Sequence, residues 1–356
     1  MAIPSPRFVL RGHQPRWLSS VALASAVFFT VVLTAIPIRL AGANPPAAFE
    51  RYLLRPLTSQ TGVFEVLLTA TPLIFTGLAV AIAFRAGYWN IGAEGQFLAG
   101  AVCVTWVGTT FTGLPGIVAI PLGFVAGAIG GLAWAVLPAW LKRRAGIDEV
   151  VTTLLLNPVA LLVVQGLLNG PWRNSDTGFT DSDRLAASYD LPVLFSGSRA
   201  HLGFVVALVV LLVAWWVLAR TPLGLKITSS GLSPRTAEFS GIRVRPLQFQ
   251  VALVSGAVAG LGGASQVMGV QHQLTQGISN GYGYTGVIVA TLGGLSAIGV
   301  LLVALLLGDI AVGAQNASLV LQLPSQLGEV FGALLLLSVL AALSWRRYRI
   351  VWRQKP

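Results

Sequence analysis

Few ionisable side chains lie inside the long apolar stretches of this chain, and those that do are its first candidates for chemistry. Glu94 opens one apolar stretch just after the Gly-rich segment 85–92, and Asp309 lies within another. A carboxylate in apolar surroundings can carry a proton or a cation, or it can stabilise the N-terminus of a helix. Glu94 has two interpretations, as part of a transport path or gate and as part of an ordinary tight turn. Asp309 could contact either a polar partner or a substrate.

Amide and aromatic side chains accompany these two carboxylates. Uncharged amides can bind sugar hydroxyls or the edge of a nucleobase without placing a strong charge in the path, and amides with aromatics suit nucleosides, sugars or small amides. The residues that we predict to line a substrate path are Trp89, Asn90, Glu94, Gln96, Asn157, Gln266, Gln271, Tyr284 and Asp309.

The motifs of a phosphate-binding ATPase and of a zinc centre are missing. No Gly-Lys dipeptide occurs, so the phosphate-binding G-x-x-x-x-G-K-[ST] loop of ATPases is absent. There is no H-E-x-x-H, and one Cys with three His leaves little for a metal site. We predict that the chain is not an enzyme and that it binds neither a metal nor a cofactor of its own.

These residues must be positioned by membrane-spanning helices. Charged residues make up 10% of the 356, against about 25% in an ordinary soluble domain, and 55% are hydrophobic. This composition excludes a soluble or disordered protein and predicts an all-α, polytopic membrane protein. One crossing needs about 20 apolar residues, and ten runs are candidates: 17–38, 63–84, 92–112, 115–141, 149–169, 202–219, 248–270, 283–297, 298–320 and 328–345.

The net charge of +11 predicts the topology. With ten crossings and a cytoplasmic N-terminus, 17 of the 23 basic residues fall on the cytoplasmic side, in agreement with the positive-inside rule. The alternative for the first run is a cleaved signal peptide. Its apolar stretch is longer than the apolar region of a signal peptide, which favours a membrane span. We expect a cytoplasmic tail at 1–16, a single transmembrane domain at 17–345, an extracytoplasmic loop at 170–201, a cytoplasmic loop at 220–247 and a cytoplasmic tail at 346–356.

A short helix is predicted inside the cytoplasmic loop. Ser233 suits the N-cap, Pro234 the first helical position and Gly241 the residue after the helix, which predicts a helix over 234–240. Two turns of helix are marginally stable alone, so we expect it to dock on a partner protein. The alternative is a basic loop lying on anionic lipid.

Four segments together resemble one family, the bacterial ABC-transporter permeases of the branched-chain amino acid, ribose and nucleoside group. Segment 84–96 resembles the F-N-I-G-x-E-G-Q signature, and 149–157 resembles the E-V-x-x-T-x-x-L-N helix. Segment 221–242 resembles the loop that leads into the ATPase-engaging helix, and 281–295 resembles G-x-G-[FY]-x-G-I-A-V-A-x-L-G-G. The order of the motifs matches the family, and the N-I-G-x-E-G-Q form points to the nucleoside-type subgroup.

The resemblance implies a fold like that of type II ABC importers, in which spans 2–5 and 7–10 are inverted repeats. It implies a double-domain ABC ATPase, a second permease subunit that is homologous or identical, and an extracytoplasmic substrate-binding protein or lipoprotein. ATP and Mg would bind to the ATPase. We expect no nucleic acid as a partner, because the positive charge follows the cytoplasmic side of the predicted topology. The residues expected to couple to the ATPase are Thr221, Gly224, Ser233, Pro234, Arg235, Ala237, Glu238 and Gly241.

We therefore predict a multi-pass permease of the bacterial cytoplasmic membrane that imports a nucleoside or a related small polar solute, driven by a separate ATPase. One alternative is an ion-gradient-driven secondary transporter that uses Glu94 or Asp309 as its ion site. Another is the same permease class with a sugar or an amino acid as its substrate.

Overall fold

The computed structural model describes residues 5–10, 16–174 and 178–353, and they are almost entirely helical. Residues 1–4, 11–15, 175–177 and 354–356, which include parts of both predicted tails, lie outside the described residues. The helices are α1 (Arg16–Leu40), α2 (Pro45–Leu53), α3 (Gln60–Arg85), α4 (Ala93–Thr110), α5 (Gly116–Ala145), α6 (Glu149–Asn169), α7 (Leu202–Arg220), α8 (Pro222–Leu232), α9 (Pro234–Phe239), α10 (Val244–Gln266), α11 (Tyr282–Leu292), α12 (Ala297–Leu321) and α13 (Leu327–Arg347).

The described residues form two compact units, and the larger one spans Ser59–Asp309. Helix α10 packs against α3, α4 and α5 there, and α11 packs against α3. Glycines allow α10 to approach its neighbours at backbone distance: a Cβ added to Gly260 would lie 2.1 Å from the carbonyl oxygen of Gly127 on α5. A Cβ added to Gly263 would likewise lie 2.1 Å from the carbonyl oxygen of Phe97 on α4. Small residues at helix interfaces permit this close packing in a membrane.

The smaller unit combines residues 1–58 with 310–356. Helix α1 packs along α13, and α2 buries Tyr52 beside the ring of Phe331. Two short strands, β1 (Ser5–Leu10) and β2 (Tyr348–Arg353), form an antiparallel ribbon with Ser5 opposite Arg353. The sequence analysis predicted plain tails at both ends, because a six-residue strand becomes recognisable only when its partner is known. The expectation of a single domain at 17–345 stays a prediction.

The all-α membrane fold is confirmed, whereas the count of ten crossings is not. Among the described residues, six helices are long and apolar enough to cross a membrane, or seven if α1 and α2, bent by 117°, form one span. The predicted eighth span, 283–297, is wrong in its length. Helix α11 ends at Leu292, and at 1.5 Å per residue its 11 residues cover about 16 Å, roughly half of the hydrocarbon core. Gly294 and Leu295, both at positive φ, separate it from α12.

The loop 220–247 is more structured than predicted. Besides the expected short helix, which ends one residue early as α9, it contains the 11-residue helix α8. Thr221 caps α8, since its hydroxyl accepts a hydrogen bond from the amide of Gly224 at 3.3 Å. Pro222 occupies the first turn, where its missing N–H costs nothing. Ser233 precedes α9 as predicted, although its hydroxyl contacts the Thr236 hydroxyl at 2.7 Å instead of a helix amide.

We predict that Gly260→Ala lowers the melting temperature of the detergent-solubilised protein. The added methyl would overlap the Gly127 carbonyl of α5, and overpacking of this kind costs about 1–3 kcal/mol. Gly166→Ala on α6 is the matched control, because no heavy atom lies within 4 Å of its added Cβ. It should leave the melting temperature unchanged or raise it, since Ala favours helix over Gly. Equal melting temperatures for the two variants would contradict the described packing of α10.

Candidate functional site

A polar stripe on α6 satisfies the irregular backbone that joins α3 to α4. The stripe consists of Glu149, Thr153 and Asn157, which recur every four residues and so share one helix face. Glu149 Oε1 accepts a hydrogen bond from the Trp89 amide at 3.1 Å, and the Thr153 hydroxyl accepts one from the Ile91 amide at 3.2 Å. The stripe thus gives the non-helical backbone hydrogen-bond partners within the protein.

Asn157 contributes both sides of its amide to the same segment. Its Oδ1 accepts a hydrogen bond from the amide of Gly95 at 3.0 Å, and its Nδ2 donates to the carbonyl of Ile91 at 2.9 Å. The side chain is 1% exposed. Asn157 therefore holds the first turn of α4 and the bend before it.

A second amide pair lies at the centre of the same region. Asn90 Nδ2 donates to Gln96 Oε1 at 2.9 Å and to the Ser255 hydroxyl at 2.8 Å, and Gln96 Nε2 donates back to Asn90 Oδ1 at 3.2 Å. Ser255, on α10, donates in turn to the carbonyl of Ala79 on α3 at 2.6 Å. These buried hydrogen bonds connect α3, α4 and α10, and both side-chain amides of the pair take part in them.

Glu94 lies where the N-termini of α4 and α11 meet. Its carboxylate accepts hydrogen bonds from the Ser279 hydroxyl and from the Gly283 amide, the latter at 2.7 Å, and it interacts with the amides of Gly281 and Tyr284. The two helix ends touch, since a Cβ on Gly283 would lie 2.1 Å from the Glu94 backbone nitrogen. Helix N-termini carry partial positive charge, and Glu94 supplies the negative charge that compensates both. Gly281, at φ 75°, turns the chain into α11.

The structure brings four of the predicted path residues together and leaves the others apart. Asn90, Glu94, Gln96 and Asn157 are buried and hydrogen-bonded in the region just described. Of the other five, Trp89 and Tyr284 join this region through their backbone amides only and are exposed by 52% and 44%. Gln271 is exposed, and Gln266 and Asp309 are buried without a hydrogen bond to the four.

Asp309 differs from Glu94 in its surroundings. It is 5% exposed, and its Oδ1 has no hydrogen-bond partner among the described residues. No group of three or more His, Cys, Asp or Glu side chains comes together as a metal site in the part of the chain that the structure describes.

The segment α8–α9 is bonded to the α3–α4 bend and presents an unpartnered aromatic ring. The Ser230 hydroxyl donates to the Ala86 carbonyl at 3.2 Å, and Gln248 Nε2 donates to the same carbonyl at 3.1 Å. Gly231 lies so close that an added Cβ would be 2.2 Å from the Arg85 carbonyl oxygen. Phe239, the last residue of α9, is 94% exposed.

Among the predicted coupling residues, Gly224 and Ala237 are buried and hold α8 and α9 in place. Pro234, Arg235, Glu238 and Gly241 are exposed on the surface of the segment, whereas Thr221 and Ser233 are half-buried caps. The geometry therefore separates residues that shape the segment from residues that a partner could contact.

The predicted extracytoplasmic loop is anchored to the segment that follows α10. The amide of Leu185 donates to the His272 carbonyl at 2.9 Å, and that of Leu191 donates to the Met268 carbonyl at 3.0 Å. His272 Nδ1 lies 2.6 Å from Asp190 Oδ1. Burial, together with the nearby His272, lowers the pKa of His201 to about 4, so its neutral ring can accept a hydrogen bond from the Gly203 amide.

An ion pair joins the same loop to α3. Arg199 lies against Glu65 at 2.5 Å, and this contact raises the pKa of Arg199. The described part of the loop, 170–174 and 178–201, is therefore held against the helix ends by these contacts.

Sequence reasoning missed several participants in these contacts: Thr153, Ser255, Ser279, Gly283 and Phe239. The spacing 149, 153, 157 could have identified Thr153 as part of the stripe. Segment 277–281 also matches the G-x-S-x-G pattern of hydrolase nucleophiles. That pattern requires a strand before the serine, whereas Ser279 follows an irregular segment and donates to Glu94.

These features define a class of protein. Apolar helices of spanning length surround broken helices that meet at a buried carboxylate, and an ordered helical segment projects from one end. Broken helices at the centre of a helical membrane body are the usual structure of transport permeases.

The chain belongs to the family described as branched-chain amino acid transport system / permease component, which matches residues 62–340. Membership implies an ABC ATPase and a substrate-binding protein as partners. The chain is 33% identical to the glucose ABC transporter permease protein TsgB13 of Haloferax volcanii over 94% of this chain and 91% of that protein. It is 34% identical to the guanosine ABC transporter permease protein NupP of Bacillus subtilis over 80% and 82%. The nucleoside ABC transporter permease protein NupB of Lactococcus lactis is 32% identical over 81% and 82%.

We predict that Glu94→Gln loosens the start of α11. The substitution keeps the size of the side chain but removes the charge that compensates two helix ends, and hydrogen bonds to a charged group contribute about 1.5–3 kcal/mol each. Hydrogen exchange of amides 281–284 should become faster and the melting temperature should fall.

Ser279→Ala is the control for this experiment, because it removes one hydrogen-bond donor and keeps the carboxylate on the helix amides. Its effect on both measurements should be smaller. Unchanged exchange at 281–284 in the Glu94 variant would show that the carboxylate does not hold α11.

Proposed function

We propose that this permease imports nucleosides or closely related small polar solutes, and that a separate ATPase drives it through α9. One observation carries the coupling proposal: α9 is an ordered six-residue helix, too short to be stable alone, that ends in the almost fully exposed Phe239. An aromatic ring in this position is the kind of residue that anchors a protein interface.

A chain of contacts connects α9 to the broken helices. Helix α8 carries α9 and bonds to the carbonyl of Ala86 through Ser230, and residue 86 begins the bend that α6 holds through its polar stripe. The bend leads into Glu94, which holds the start of α11. A displacement of α9 on closure of an ATPase would therefore reach both broken helices through hydrogen-bonded neighbours, biasing a two-state transition of the permease.

Two kinds of support favour a nucleoside as the substrate. Two of the relatives named above are a guanosine and a nucleoside permease, although the relative that aligns over more of the chain is a glucose permease. Trp89 and Tyr284 expose aromatic surface at the two breaks, where a nucleobase could stack. The hydrogen-bonded residues Asn90, Glu94, Gln96 and Asn157 would position the helices around the path, with Gln266, Gln271 and Asp309 further along it.

The same proposal includes the topology. Strands β1 and β2 pair, which supports tails on one side of the membrane and an even number of crossings. The positive-inside rule supports the cytoplasm as that side, in the bacterial cytoplasmic membrane. The chain itself would be non-catalytic and without cofactor, and ATP with Mg would bind to the ATPase, which we propose to be a double-domain subunit. A second permease, homologous or identical, and a binding protein or lipoprotein complete the importer.

Ion-gradient-driven transport is less well supported. Its proposed ion sites were Glu94 and Asp309, and the Glu94 carboxylate already accepts hydrogen bonds from Ser279 and Gly283. An ion would have to displace these donors, which would release the start of α11.

We predict that Phe239→Ala weakens binding of the ATPase subunit by about 30-fold or more, because anchors of this type contribute about 2 kcal/mol or more. ATP-driven uptake should fall with it, whereas the melting temperature of the permease should not change, since the ring is 94% exposed. Co-purification of the tagged permease with its ATPase measures the first effect.

Ile117→Ala is the matched control for Phe239→Ala, because Ile117 is 85% exposed at the start of α5, which is predicted to lie at the opposite side. ATPase binding should be unaffected by this change. The coupling proposal fails if Phe239→Ala retains the ATPase and full uptake.

For the substrate, we predict that unlabelled nucleosides compete with a labelled nucleoside for uptake by the reconstituted importer, and that ribose, glucose and branched-chain amino acids in excess do not. A site that recognises a nucleobase through stacking and hydrogen bonds loses most of its affinity for a ligand without the base. Full competition by glucose would assign the chain to sugar import while leaving the ATPase coupling intact.

A further inference from the structure

A cavity of about 630 Å³ opens between the end of α5, the start of α6 and the start of α10. Its volume falls in the range of small-molecule sites, which is about 300–1,000 Å³. No described side chain fills it. The positive-inside rule places it at the cytoplasmic ends of these helices, level with the lipid headgroups, so this inference rests on the topology of the proposed function.

Cationic side chains dominate the wall of the cavity. They are Lys142, Arg143 and Arg144 from α5 and Arg245 from α10. The two acidic residues in the wall are already used within the chain: Asp148 accepts a hydrogen bond from the Val150 amide as the N-cap of α6, and Glu149 contacts Lys142 and the Trp89 amide. Four cations against these two carboxylates leave the wall with an excess of positive charge.

Three of the four cations have no carboxylate partner among the described residues. Lys142 contacts Glu149, and Arg143 lies over the ring of Phe249 at 5.2 Å. Arg144 and Arg245 make no ion pair with any of the described residues and are exposed into the cavity. Arg144 belongs to α5 and Arg245 to α10, and both line the same cavity, so an anion inside it would face cations from two helices.

Polar side chains form most of the wall, and a smaller part of it is apolar. Ala139, Ile147 and Phe249 are the apolar strip beside the cations, and Trp140, the residue after Ala139 in α5, is 50% exposed. Exposed Trp residues at helix ends favour the headgroup level of a bilayer. Cations for a phosphate, polar side chains for the glycerol oxygens and an apolar strip for the first acyl carbons match the headgroup region of an anionic phospholipid.

We propose that this cavity binds the phosphate headgroup of an anionic phospholipid from the cytoplasmic leaflet. Basic pockets between membrane helices on this side suit such headgroups. The wall is continuous with the bend at 88–90, because Tyr88 lies under Lys142 and the Trp89 amide bonds to Glu149. The bound lipid would therefore stabilise the cytoplasmic start of the pathway that leads to Glu94.

The test compares two charge-matched double variants of the full chain in lipid nanodiscs of phosphatidylcholine with phosphatidylglycerol. Arg144→Gln with Arg245→Gln removes two cations of the cavity. Lys226→Gln with Arg243→Gln removes two exposed cations of the same side that do not line it. Association of spin-labelled phosphatidylglycerol relative to spin-labelled phosphatidylcholine is measured for the wild type and both variants.

We expect the cavity variant to lose about 30-fold in the relative association of phosphatidylglycerol, which follows from about fivefold for each basic residue. The control variant should lose far less. An equal loss in both variants would overturn the proposal in favour of diffuse attraction, and no loss in the cavity variant would overturn it outright.

Two further outcomes identify other occupants. Displacement of the labelled lipid by inorganic phosphate would assign the cavity to a soluble anion, and unchanged lipid association with loss of the ATPase would assign it to a protein contact. Either result overturns the lipid assignment. Lipid association is measured on the permease without ATPase or substrate, so its outcome is independent of whether the proposed nucleoside import holds. Melting temperatures equal to the wild type exclude misfolding.

Discussion

The carboxylate of Glu94 is the interaction on which the remaining structure depends. Two helices begin inside the protein, α4 at Ala93 and α11 at Tyr282, and their first amides have no intrahelical partners. In a membrane these groups cannot bond to water, so each start must be satisfied by the protein. Glu94 belongs to the first turn of α4 and accepts hydrogen bonds from the start of α11, and one negative charge therefore stabilises two broken helices at their point of contact.

The elements around this contact provide hydrogen-bond partners for the backbone groups that Glu94 does not reach. The stripe on α6 satisfies the bend before α4, and the amide pair of Asn90 and Gln96 joins that bend to α10. Glycines on α10 let the surrounding helices approach at backbone distance, which keeps the broken region enclosed. On one side the bend is bonded to α8 through Ser230, so the segment that would meet the ATPase belongs to the same connected structure. Support of the buried contact and transmission of movement thus use the same hydrogen bonds.

Much of the fold could be predicted from apolar run lengths and charge, because membrane helices satisfy their own backbone and leave a local signal. The half-length of α11 could not, since Gly293 and Gly294 follow Leu292 but glycine is also common inside membrane helices, and only the positive φ of Gly294 and Leu295 shows that the helix ends there. The importance of Glu94 and Asn157 was visible in the sequence, but their partners were not. Ser279 is 185 residues from Glu94, and an apolar run gives no information on which polar groups meet across such a separation. The exposure of Phe239 could not be predicted either, because it depends on how α9 packs on α8.

The central claim is that a separate ATPase drives transport through α9 and the bend to the broken helices. It is tested most directly by uptake of labelled nucleoside into proteoliposomes whose ion gradients have been collapsed, with the permease complex reconstituted with or without its ATPase subunit. The account predicts uptake only when the ATPase and hydrolysable ATP are both present. Uptake by the permease without the ATPase, driven by an imposed ion gradient, would contradict it.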